Sequence, residues 1–168
     1  MVFQGQLLSI FIRPTPGERV LELKEVHAVP GKGLERDYYY NGIAPKGREP
    51  ARELTLIEKE TLQTLEHENK ISLSPADSRR NLLTENVRLN QLVGKEFRVG
   101  DVTLKGIRLC EPCSHLASLT QEAILPALVH RGGLRAEILT EGVIRVGDPI
   151  SYSGGVQMEE VPHAEPNN

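Results

Sequence analysis

The chain has 168 residues, enough for one domain with a substantial core. Hydrophobic residues make up 39% and charged residues 26%, an ordinary composition for a water-soluble protein, but aromatics are only 4% with no Trp, so Leu, Val and Ile must build the core. A formal charge of -3 argues against a general nucleic-acid binder, which gathers Lys and Arg on one face, so any anion site must be local.

Residues 1–7 carry neither the basic segment nor the long apolar run of a secretory signal, and no segment reaches the length of a membrane span. The expectation is a cytoplasmic protein with no membrane and no nucleic-acid partner. In chain order, the runs 6–12 and 19–26 are β-prone, and Pro14-Thr15-Pro16-Gly17 between them predicts a hairpin. The stretch 29–37 is glycine-rich and carries Lys32 and Arg36, and with the aperiodic residues up to Pro50 it predicts a long functional loop.

Residues 53–57 read as a strand feeding an amphipathic helix over 58–67, where Leu62 and Leu65 share a face. After a polar bend at Ser74-Pro75-Ala76-Asp77 comes a β-like run at 81–84, then a short helical turn at 89–93 stopped by Gly94. Two β-branched runs each meet Gly-Asp, at Gly100-Asp101 and at Gly147-Asp148, a pair of residues that reverses a chain tightly between strands. Between them Thr120 caps a short helix over 121–125, with Pro126 near its first turn or kinking it. The tail 154–168 is expected to fray, leaving 1–153 as a single domain. Many short strands with tight turns and a few short helices predict a mainly β chain, a barrel or sandwich.

Both cysteines, Cys110 and Cys113, fall in one segment where a strand ends. In a reducing compartment such a pair is a ligand, a nucleophile or a redox dithiol before it is a structural disulfide. Arg108 and a helix beginning near Ser114 would lower the Cys113 pKa and favour the thiolate that soft metals need. Zinc would require two further ligands, which fall to His115 and His130, and a thioredoxin-like dithiol normally accompanies a βαβ pattern that is missing here.

Arg79, Arg80 and Asn81 supply two cations and an amide at the start of a strand, suited to a phosphate or the edge of a pterin, against the plainer reading of a solvated corner. In His130-Arg131-Gly132-Gly133 the glycines either cap the preceding helix or turn N–H groups toward an anion. Gly31-Lys32-Gly33 offers a similar anion nest, but without a strand–helix context it is no dinucleotide fingerprint. Glu58 and Glu60 read as a solvated helix face, and no Ser-His-Asp ordering or HExxH motif gives hydrolase chemistry any support.

Taken together and in order, residues 79–86, 92–100, 110–116, 130–136 and 144–149 resemble the MOSC domain, the family named for the C-terminal domain of molybdenum cofactor sulfurase. Weaker likeness at Gly31-Lys32-Gly33-Leu34 and Leu54-Thr55-Leu56-Ile57 extends it over most of the chain. The resemblance implies a MOSC-type β-barrel that binds the molybdenum cofactor, a pyranopterin phosphate whose dithiolene holds the metal. It implies Cys113 as the catalytic molybdenum ligand, as in relatives such as the mitochondrial amidoxime reducing component, with Arg79, Asn81 and less directly Arg80 holding the cofactor. Lys32, Arg108, His130, Arg131, Gly132 and Gly133 complete the candidate binding set. Cys110 is similar to the extra cysteine of small stand-alone members, a second catalytic thiol that would carry persulfide or resolve an oxidised Cys113.

The expectation is a small member without the separate N-terminal β-barrel domain of the larger relatives, which puts their reductase substrate pocket in question here. Pyridoxal phosphate belongs to the sulfurase's other domain, and no Lys here stands out for it. The leading expectation is an oxidoreductase that reduces N-hydroxylated small molecules with electrons from an external donor protein. The alternative is a non-catalytic carrier of persulfide or cofactor, supplied by a sulfur donor protein. A third reading keeps the fold without the cofactor and leaves a zinc-binding or structural loop.

Overall fold

Along Val102–Leu109 the side chains alternate between buried Val102, Leu104 and Gly106 and more exposed Thr103, Lys105 and Ile107, the period of a strand with one face on a core. That pattern recurs around a mainly β fold in the computed structural model, which describes residues 3–15, 17, 19–40, 53–110 and 128–152. Its strands are β1 (Phe3–Ile12), β2 (Leu21–Leu23), β3 (Glu25–Val29), β4 (Gly33–Leu34), β5 (Leu54–Glu58), β6 (Leu82–Glu85), β7 (Glu96–Val99), β8 (Val102–Leu109), β9 (Leu134–Ile138), β10 (Gly142–Arg145) and β11 (Pro149–Tyr152). The described residues include the helix α1 (Lys59–Asn69) and a single 3-10 turn at Leu89–Leu92. No helix among them is long and apolar enough to cross a membrane.

The main sheet runs β11-β7-β8-β9-β5-β6-β1, and β1 then pairs with β11, closing a barrel and leaving no free edge between its first and last strands. The long β1 makes this possible. Its first residues pair with β11 from Phe3↔Tyr152 to Gln6↔Pro149, its middle pairs with β6, and its last residues pair with β2 from Ile10↔Leu23 to Ile12↔Leu21. Phe97 is the largest fully buried side chain, and Leu, Ile and Val supply nearly all the rest of the barrel interior, as the composition requires. A second cluster of Ile57, Leu62, Leu65, Ile71, Leu73, Leu83 and Leu128 seats α1 on the outside.

Three sequence expectations change. The run 19–26 divides at Lys24: β2 stays with β1, whereas β3 leaves to pair with β10 and β4 in a small three-stranded sheet. A βαβ unit is present, because β5 and β6 run parallel, with Leu56 opposite Leu82, and α1 is the crossover that parallel neighbours need. It lies well before the cysteines in sequence. Of the two Gly-Asp pairs, only Gly100-Asp101 closes a hairpin, with Val99 opposite Val102. Gly147-Asp148 instead passes the chain from β10 in the small sheet to β11 in the barrel. The two turns pack together, since a Cβ on Gly100 would lie 2.5 Å from Asp148 Oδ2, which accepts Arg145 N at 2.8 Å. The helix expected over 121–125 and the tail 154–168 lie outside the described residues.

Candidate functional site

The candidate residues gather where the end of β8 and the starts of β6 and β9 meet, with the end of β1 beside β6. Cys110 follows β8 directly, and its N–H donates to Gly133 O at 2.7 Å. Arg80, only 8% exposed, donates from Nε to Gly132 O at 2.7 Å and from its terminal nitrogens to Ser78 O and Cys110 O, each at 3.3 Å. These bonds hold together the loops leading into β6 and β9 and the segment leaving β8. Arg80 thus has a framework role, with three of its guanidinium N–H groups on backbone carbonyls.

Asn81 also makes framework bonds. Buried between strands, it donates from Nδ2 to Phe11 O at 2.9 Å, while its Oδ1 accepts from Thr55 N at 3.0 Å and Thr55 Oγ1 at 3.2 Å. Both ends of the amide thus bridge β1, β5 and β6.

Arg79 differs from its neighbours. Its backbone is left-handed at φ 63, and its half-buried side chain keeps a buried Nε with no hydrogen-bond partner. Burial first, and then the charge of nearby Arg13, push its pKa below the ordinary value. Arg13 follows β1 and is held there by its surroundings: its N–H donates to Asp37 Oδ1 at 2.8 Å, its carbonyl accepts Tyr38 N at 2.8 Å, and its guanidinium lies 5.2 Å from the Tyr38 ring centroid. A buried N–H without a partner costs about 1–3 kcal/mol, and a second cation nearby adds repulsion. The Tyr38 and Asp77 side chains act in the opposite direction on Arg79. An anion at the Arg79 guanidinium would give its open N–H an acceptor, so a phosphate-bearing cofactor fits there. Sequence reasoning missed Arg13; the signal available was a lone cation between a β run and Pro14.

The remaining candidates divide. Gly31-Lys32-Gly33 is the turn between β3 and β4, in which Lys32 N donates to Val29 O at 3.1 Å, and the N–H of Gly31 is directed to the Glu53 carboxylate. The expected anion nest thus already serves an anion of the protein itself. The Lys32 ammonium lies 5.2 Å from the Tyr40 ring centroid. Arg108 sits exposed on β8 opposite Arg135 of β9. His130 is exposed, and its carbonyl accepts Asn90 Nδ2 at 2.8 Å, while Arg131 donates to Asn69 Oδ1 at 3.0 Å.

Gly132 and Gly133 serve close packing. A Cβ on Gly132 would lie 2.3 Å from Cys110 O, and one on Gly133, at φ 113, would lie 2.2 Å from Leu56 O. Cys110 is 4% exposed, so it packs into the wall and does not present an open second thiol. Cys113 lies outside the described residues, as do Ser114 and His115.

Beside Gly133 a groove of about 820 Å³ runs past Glu58, Asn86, Arg88, Asn90 and Arg131. Glu58 and Glu60 are not a solvated helix face. Glu58 Oε2 accepts Leu89 N and Glu60 Oε2 accepts Asn86 N, each at 2.9 Å, pinning the segment after β6, and burial raises the Glu58 pKa.

His27 on β3 presents both ring nitrogens to carboxylates, with Nδ1 2.9 Å from Glu35 Oε2 and Nε2 2.8 Å from Glu141 Oε2. Carboxylates only accept, so both contacts are hydrogen bonds at once only in the imidazolium. The Glu35 bond, followed by that to Glu141, raises the His27 pKa above 6.5 against some opposing desolvation. A raised folded value means the stabilisation is fully present below 6.5 and is lost as pH rises through the folded pKa. His27→Gln is thus expected to be less stable than the wild type in urea titrations below that pH and equal to it in alkaline buffer; a deficit independent of pH would contradict the clamp.

The fold and this rim define a class: a small closed β-barrel with paired arginines at one end of its strands and a cysteine segment leaving β8. The MOSC domain model matches residues 44–151, and the protein belongs to that family, which is associated with the molybdenum cofactor. No curated protein sequence matches the chain significantly. Among solved structures, the YuaD protein from Bacillus subtilis is similar at a TM-score of 0.79 and 13% identity, over 91% of this chain and 99% of that one. YiiM from Geobacillus stearothermophilus is similar at 0.66 and 17%, over 90% and 77%, and YiiM from Escherichia coli at 0.63 and 18%, over 88% and 70%. At these identities the structural likeness speaks to the fold.

Proposed function

We propose that this protein is a cytoplasmic oxidoreductase that holds the molybdenum cofactor at the Arg79 rim and reduces N-hydroxylated small molecules. The observation that carries the reading is the buried, unpartnered Nε of Arg79 beside Arg13, a cation pair suited to the phosphate of a pterin. Cys113 supplies the thiolate to the metal, three residues beyond Cys110, whose N–H is tied to Gly133. Arg80 and the two glycines keep the base of that segment in place.

A bound cofactor would supply two-electron, oxygen-atom-transfer chemistry at this site. In balance, R–NH–OH with two electrons and two protons becomes R–NH2 and water; the N–O bond breaks, and the electrons come from an external donor protein. The groove beside Gly133 gives the substrate its approach. Protons arrive along it from solvent.

The deciding experiment is elemental and pterin analysis of protein purified from a cofactor-producing host, in wild type and Cys113→Ala, together with turnover of an N-hydroxylated amidine under a chemical reductant. Molybdenum in the wild type, its loss in the variant, and turnover are the expected results. Zinc in place of molybdenum, or no metal, overturns the assignment. Molybdenum without turnover leaves the cofactor-carrier reading in place of the reductase.

A further inference from the structure

Beyond the arginine pair, one cleft has chemistry that the proposed reaction does not use. It is a shallow, open cleft of about 470 Å³ lined by Pro14, Glu35, Arg36 and Tyr40. Pro14 follows Arg13 in the chain, so the cleft begins where the anion site ends. We infer that this cleft is a nucleoside-phosphate subsite, with Pro14 and Tyr40 flanking the base, Glu35 accepting from ribose hydroxyls and Arg36 meeting a phosphate.

Each residue type suits one part of such a ligand. Pro14 and Tyr40 present flat apolar faces, and stacking on a tyrosine tolerates any base. Lys32 lies 5.2 Å from the Tyr40 ring centroid, placing a second cation at the ring that would receive the base. Glu35 can only accept hydrogen bonds when ionised, as vicinal hydroxyls require, and His27 Nδ1 at 2.9 Å from Oε2 fixes the carboxylate in place.

Arg36 stands exposed at φ 74, a left-handed backbone that a non-glycine residue seldom adopts. Backbone bonds on either side hold it there, from Glu35 N to His27 O at 2.9 Å and from Asp37 N to Leu34 O at 3.1 Å. The buried Asp37 carboxylate then fastens this loop to Arg13 N at 2.8 Å and Tyr39 N at 3.2 Å. The loop that carries Arg36 and Tyr40 is therefore built onto the end of β1, beside the anion site. The continuity from Arg79 through Arg13 rests on the cofactor reading above; the four lining residues do not. Two sources supply the same chemistry: a free nucleotide, or a nucleotide joined to the pterin phosphate.

The test is calorimetric titration of the full, cofactor-free chain with GMP, CMP, guanosine and inorganic phosphate. A nucleoside monophosphate is expected to bind at least about tenfold tighter than inorganic phosphate, and Tyr40→Ala to weaken it about tenfold while leaving phosphate binding unchanged. Tyr40→Phe, which keeps the ring, should bind as the wild type does. Far-UV circular dichroism checks that the variants are folded. Nucleotides that bind no tighter than phosphate, or a Tyr40→Ala protein equal to wild type, would overturn the subsite. Mass spectrometry of the pterin released from loaded protein separates the sources: a nucleotide-bearing pterin identifies the cofactor, and a plain pterin alongside GMP binding identifies a free nucleotide. Failure of the titration leaves the molybdenum analysis intact, and absence of molybdenum leaves the titration intact.

Discussion

Replacing Arg80 with Met is expected to destabilise the protein by about 3–5 kcal/mol, measured as a lower urea midpoint at unchanged slope. Methionine retains bulk but no donor, so the carbonyls of Ser78, Gly132 and Cys110 lose a charged partner inside a region only 8% exposed at the arginine. Each buried acceptor left unpaired costs about 1–3 kcal/mol, and relaxation recovers part of that sum. A second readout locates the damage. Arg80 joins the start of β6 to the end of β8, so its loss should speed labelling of the otherwise buried Cys110 thiol in the folded protein. A loss below about 1 kcal/mol, or unchanged thiol labelling, would mean that the clamp is not what holds this corner.

Arg79, one residue earlier, should behave in the opposite way. Arg79→Gly removes a guanidinium that is poorly satisfied in the cofactor-free protein and replaces a strained left-handed residue with the one residue that adopts φ 63 freely. The cofactor-free variant is expected to gain about 1 kcal/mol of stability. Its affinity for inorganic phosphate should fall about ten- to hundredfold, and the protein purified from a cofactor-producing host should lose its pterin. A variant that is destabilised like Arg80→Met, or that holds phosphate as the wild type does, would refute the anion site. Adjacent arginines with opposite effects would separate architecture from binding within one dipeptide.

This division was invisible in the chain. Arg79-Arg80-Asn81 read as a single binding motif because all three residue types suit a phosphate or a pterin. Their side chains have different surroundings: Arg80 meets the carbonyls of Gly132 and Cys110, Asn81 sits between Phe11 and Thr55, and Arg79 keeps a buried Nε without a hydrogen-bond partner among the described residues. Each destination lies on an element distant in sequence, so no local pattern could have sorted them. The glycines at 132 and 133 illustrate the same point. Their need for bare backbone comes from Cys110 O and Leu56 O, groups brought close only by the barrel.

What the sequence determined by itself was what depends on neighbours along the chain. The alternating strands, the aliphatic core, the helix over Lys59–Asn69 and the tight reversal at Gly100-Asp101 follow from side-chain period and turn chemistry, and the ordered family motifs indicated the MOSC barrel. Tertiary structure alone decided which strand pairs with which: the closure of β1 on β11, the split at Lys24 between two sheets, and the parallel placement of β5 and β6. It also put Arg79 within the electrostatic influence of Arg13, and made Glu58 and Glu60 anchors for Leu89 and Asn86 in place of the expected solvated face. The reason is physical: periodicity shows which face of an element is apolar, whereas pairing partners and the bonds of a polar side chain are set by backbone groups that only folding brings within about 3 Å.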